Sequence, residues 1–196
     1  MKEIKTKIHL PRSCYGNEMR KNVNIGTNLP TIFLAGPIRN APRWQEKAVK
    51  IFLEKNEAVF VASPTRDLSL DLMPFVERDN PFNYQTFERQ RAWEQHYLYS
   101  ASNKGCIIFY LPKEAEVKEF PDKLYAHITM MELGEWIARC KADKEINLVI
   151  GTDGNFPEWS TIEYEIKTEL PMTPICSSLE ETVETALKFC RADKLI

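Results

Sequence analysis

Short apolar runs alternate with amphipathic stretches along this chain. TIFLA at 31–35, AVFVA at 58–62, CIIFYL at 106–111, INLVIG at 146–151 and TPIC at 173–176 read as five strands. Gly36-Pro37 and Pro64 close the first two. Trp44, Ala48, Ile51 and Phe52 share one helical face, which predicts a helix over 42–56. Further helices are expected over 83–102 and around ITMMELGEW at 128–136. The last is SLEETVETALKFC. There Ser178 can cap, Glu181 stands three residues on, and Leu179, Val183, Ala186, Leu187 and Cys190 form the stripe. Strands alternating with helices predict βαβ units, a parallel sheet and helices on both faces. The expected fold class is therefore α/β: a doubly wound, three-layer α/β/α domain over 31–196. Its five strands take the common order 2-1-3-4-5. Residues 1–30 lack periodicity and read as an irregular arm with room for one short strand.

Composition changes this picture little. The chain has 196 residues, 43% hydrophobic and 28% charged, which suits one globular domain. A net charge of −2 gives no reason to expect a nucleic-acid or membrane partner. No apolar run approaches the roughly 20 residues of a membrane helix, and the N-terminus has no signal-peptide core. The five cysteines include no CxxC pair, which reads as reduced thiols in a cytoplasmic protein.

Candidate chemistry follows from the strand order. Ligands of such sheets bind beyond the carboxyl ends of the strands, where the order reverses, here between the first and third strands. AGPIRNAPRW, after the first strand, lines that crevice. Gly36 permits close backbone approach, Pro37 fixes the turn, and Ile38 and Arg39 follow, Arg39 as a clamp for phosphate or carboxylate or as a surface residue. The loop into MMELG lines the other side. Met131, Gly134, Ile137 and Ala138 are expected to pack that helix on the sheet, so that Glu132 projects from the first turn toward a ligand and Glu135 is solvated. Both glutamates also complement the helix dipole. Trp44 is a base-stacking candidate or core. Tyr110 ends the central strand, where it can bond a substrate or pack. The loop 63–82 is long enough to be functional or mobile.

TIFLAGPIR, SP after the second strand, RAWEQHYL, IIFYLP and MELGEWIA occur in that order. Together they resemble the nucleoside 2-deoxyribosyltransferase superfamily, which includes 2′-deoxynucleoside 5′-phosphate N-hydrolases, over roughly residues 31–151. The resemblance implies a flavodoxin-like fold and N-glycosidic bond chemistry on a nucleoside or nucleotide. It also implies a homo-oligomer and no metal or organic cofactor. It makes Glu132 the nucleophile, forming a deoxyribosyl ester that a second base or water resolves. The chain also departs from the family pattern. Asn103 and Lys104 stand where an aspartate usually precedes the central strand, Ala126 and His127 where the transferases carry another, and Phe33 where a tyrosine is common. Three readings stay open: His127, Asp67 or Asp79 supplies the acid; GPIRN holds a 5′-phosphate in a hydrolase; or the site binds a nucleotide without chemistry. Trp93-Glu94 matches a WE pair in one branch, which makes Glu94 a substrate contact or a helix ion pair. Asp153 or Asn155 either completes the site of a neighbouring subunit, by resemblance, or forms a turn.

Overall fold

The computed structural model describes residues 5–10, 29–65, 72, 76–77 and 87–192. Its strands are β1 (Lys7–His9), β2 (Thr31–Ala35), β3 (Phe60–Ala62), β4 (Val76–Glu77), β5 (Gly105–Leu111), β6 (Leu148–Thr152) and β7 (Ile175–Cys176). Its helices are α1 (Trp44–Lys55), α2 (Phe87–Asn103), α3 (His127–Ala142), α4 (Trp159–Glu169) and α5 (Leu179–Ala192). One sheet runs β4-β1-β3-β2-β5-β6-β7, every pairing parallel. The five expected strands are β2, β3, β5, β6 and β7, in the expected order, with the switch between β2 and β5. This is a three-layer, flavodoxin-like α/β/α fold.

Strand alternation sorts the core into two layers. β5 sends Cys106, Ile108 and Tyr110 to the side of α1 and α5, and Ile107, Phe109 and Leu111 to the side of α2, α3 and α4. Both faces of β2 and β5 are covered, which is why those strands read as unbroken apolar runs.

The one short strand allowed for in the N-terminal arm is β1, which pairs with β3 and β4, and Ile8 and Leu10 are buried there. Two features differ from the sequence expectation. A helix, α4, follows the loop at 151–159, because a parallel step from β6 to β7 needs a crossover. Its Ile166 is buried, and Ile162 packs partly against the same layer. The packing stripe of α3 is Thr129, Leu133, Trp136 and Cys140, with Ile137 partly buried against the same layer as expected, whereas Met131, Gly134 and Ala138 are exposed. Ile128 is exposed as well. Among the described residues no helix is long and apolar enough to cross a membrane.

Candidate functional site

The switch point is built by two loops. β2 gives way directly to Gly36, whose φ of +149° is open only to glycine. A Cβ there would strike the Tyr110 carbonyl and lie 2.7 Å from the Trp44 ring. Trp44 is 1% exposed, with its Nε1 donating to the Pro37 carbonyl at 2.8 Å. Trp44 is therefore core and scaffold for the GPIRN loop, with no face left for a base. The second loop, 112–126, crosses over the first. Asn40 Nδ2 donates to the Phe120 carbonyl at 2.8 Å, and Phe120 N donates back to Asn40 Oδ1 at 2.9 Å. Ala115 N donates to the Asn40 carbonyl at 2.7 Å. Arg39 lies 5.7 Å over the Phe120 ring, and Ile38 is exposed beside it.

Asn40, not among the residues singled out from sequence, thus ties the two loops together. The one sequence signal is that asparagine tolerates the left-handed backbone it adopts, with φ of 57°.

The charged centre lies on the other side of the sheet. In βαβ units the helices run back from the carboxyl edge, so α2 and α3 both start there. Arg91 and Glu94 stand in the first two turns of α2, and Glu132 in the second turn of α3, one turn further in than expected. Leu133 and Trp136 anchor α3 on the sheet and Trp93 anchors α2, which turns these three polar side chains toward one another. Arg91 Nη1 donates to Glu132 Oε1 and also to Glu94 Oε2, the latter at 2.6 Å. Gln90 Nε2 donates to the other Glu94 oxygen at 3.0 Å. The Glu132 side chain keeps 15% of its exposure. Burial pushes its carboxyl above the ordinary carboxylate range. The hydrogen bond and charge of Arg91 pull it back, and Glu94 and Glu135 add to the upward push. Burial works against the Arg91 charge, but Glu132 and then Glu94 outweigh it and hold its pKa above the usual value. Two hydrogen bonds from one nitrogen place an oxygen of each carboxylate within about 6 Å of the other.

The remaining candidates fall elsewhere. His127 is exposed at the start of α3, its Nδ1 2.9 Å from the Leu124 carbonyl. Five residues separate it from Glu132, about 140° around the helix, so the two point apart. Tyr110 leaves β5 on the α1/α5 side, 5.4 Å from the Trp44 ring, away from Glu132. Burial, then Asp153 and Glu180, push its phenol up to about 12. Phe33 does face the α2 layer, packing on Trp93 at 6.1 Å. Asn155 is a turn residue: its N–H donates to Asp153 Oδ1 and its Nδ2 to the Asp153 carbonyl, each at 3.0 Å. Asp153 Oδ2 accepts from Lys113 N at 2.9 Å, tying this turn to the loop after β5. Asp67 and Asp79 lie outside the described residues. Glu135 is solvated as expected, bonded to Arg139 at 2.8 Å.

Among the described residues no group of three or more His, Cys, Asp or Glu could hold a metal ion. No protein-family model matches this chain, and no curated protein matches it either.

Proposed function

We propose that this protein cleaves or exchanges the N-glycosidic bond of a 2′-deoxynucleoside or its 5′-monophosphate, with Glu132 as nucleophile. The observation that carries the reading is a largely buried carboxylate near the carboxyl edge of a doubly wound sheet, held by a guanidinium from the neighbouring helix. The resemblance of MELGEWIA to the deoxyribosyltransferase motif supports it independently. Glu132 Oε attacks C1′ as the C1′–N bond breaks. The electron pair of that bond leaves with the base, which takes up a proton. Water, or the nitrogen of a second base, then attacks C1′ and restores the carboxylate.

A second reading, nucleotide binding without chemistry, has one observation in its favour: Arg91 already occupies Glu132. Base release separates the two. The wild-type chain and Glu132→Ala are incubated with 2′-deoxynucleosides and their 5′-monophosphates, with and without an acceptor base, and products are followed by chromatography. We expect release by the wild type and a loss of roughly 10³-fold or more in the variant. Release that survives in Glu132→Ala overturns the assignment. Binding without any release selects the second reading.

A further inference from the structure

The shared nitrogen of Arg91 defines a role that the nucleophile alone does not. Resting on the reading above, we propose that Arg91 is the positioning residue of the site. Anchored on α2 by Glu94, it holds the Glu132 carboxylate in one orientation and offsets the repulsion from a second carboxylate.

The geometry carries this. Arg91 and Glu132 are 41 residues apart in sequence and meet only through the packing of α2 on α3. Arg91 is not left to its own flexible stem: Glu94, one turn along α2, fixes the same Nη1 at 2.6 Å. Glu94 is in turn fixed through its other oxygen by Gln90. A chain of three side chains from one helix therefore ends on the candidate nucleophile of another. Two carboxylates this close would otherwise share a proton, since like charges at short range disfavour double ionisation. A protonated Glu132 is a far weaker nucleophile toward C1′ than the carboxylate. The guanidinium offsets that conflict, and it binds Glu132 through Oε1 alone.

Among the described residues, the charged groups acting on Glu132 are Arg91 and Glu94 from α2 and, from α3 itself, Glu135, which is paired with Arg139. His96 falls about 140° around α2 from Arg91 and lies edge-on against Tyr97 at 4.9 Å. Removing Arg91 therefore removes the downward pull on the Glu132 carboxyl and leaves burial, Glu94 and Glu135 pushing it up.

The test uses the full chain as wild type, Arg91→Ala and Arg91→Lys, with two readouts. The first is the titration of the Glu132 carboxyl by ¹³C NMR of glutamate-labelled protein, assigned with Glu132→Gln, which needs no turnover. The second is the pH profile of base release from the 2′-deoxynucleoside that the wild type turns over best, with and without added guanidinium ion. We expect the Glu132 midpoint to move to higher pH in Arg91→Ala and to stay close to wild type in Arg91→Lys. Base release by Arg91→Ala should fall about 10²-fold on the acid side, the scale of a misplaced reacting group. It should recover toward high pH and be partly restored by guanidinium ion. An unmoved Glu132 midpoint in Arg91→Ala overturns the inference whatever the turnover. A moved midpoint in a chain that releases no base leaves Arg91's hold on Glu132 standing and overturns only the glycosidic reading.

Discussion

Helices α5 and α3 follow β7 and β5, the two strands that flank β6 in one sheet, and differ in how they begin and what they bury. α5 starts with a reciprocal cap: Glu181 N donates to Ser178 Oγ at 3.1 Å, and Ser177 N donates to Glu181 Oε2 at 2.8 Å. Glu180 and Glu181 fill its first turn, and Val183, Ala186 and Leu187 are wholly buried. α3 starts at Ala126, in the left-handed conformation with φ of 56° and no side-chain cap. It has no acid in its first turn and exposes Ile128 and Met131. One turn later it buries most of a carboxylate. Local propensity, capping and burial all agree in α5 and conflict in α3. Such conflicts are expected where a fold gives up stability for a site.

The largest effect that sharpens this contrast is on the α5 side. Leu187→Ala removes a wholly buried side chain and should cost about 2–5 kcal/mol in urea unfolding. Base release per folded molecule should stay unchanged, because Leu187 packs on the face of the sheet away from Glu132. A cost below about 1 kcal/mol would mean that α5 is only loosely docked.

The same contrast explains what the sequence made legible. α5 was readable because its cap, its first-turn acids and its stripe all report one helix. β2 and β5 were readable because strands buried on both faces have nothing polar to hide. On α3, Met131 looks as apolar as Leu133 and Trp136, and only packing shows that it is exposed while they are buried. α4 was missed because Gly, Asp, Asn and Pro at 151–157 mark a turn and mask the spacing of Ile162, Ile166 and Leu170 beyond it. Of the candidate site, Glu132 stands out in the sequence through its apolar surroundings and the motif it shares with the family it resembles. Arg91 does not: an arginine three residues before a glutamate on a helix reads as an ordinary surface pair. Its contact with Glu132 is purely tertiary.

A smaller effect isolates the cap. Ser178→Ala deletes the acceptor for Glu181 N and should cost about 1 kcal/mol, the usual scale for an N-cap. The measurement is again urea unfolding. An equal loss in catalytic rate would show that α5 is coupled to the site, against the separation drawn here.

The smallest expected change has the opposite sign and addresses α3 directly. Burial raises the Glu132 carboxyl above its ordinary range, despite the pull of Arg91. Between the ordinary and the raised value the folded chain binds more protons at this position than the unfolded chain. Wild-type stability from this group is therefore present at low pH and lost as pH rises through that window. Glu132→Gln does not titrate and escapes the loss. It should melt above wild type at neutral pH, and the difference should vanish below the ordinary carboxylate range, where Glu132 is protonated in both states. Thermal melts of the two proteins across that pH range measure it. A variant less stable than wild type at neutral pH would mean that the ion pair with Arg91 outweighs the burial of the charge. α3 would then owe part of its stability to Glu132. A more stable variant means that the fold carries Glu132 at a cost, as expected where a carboxylate is kept for chemistry rather than for packing.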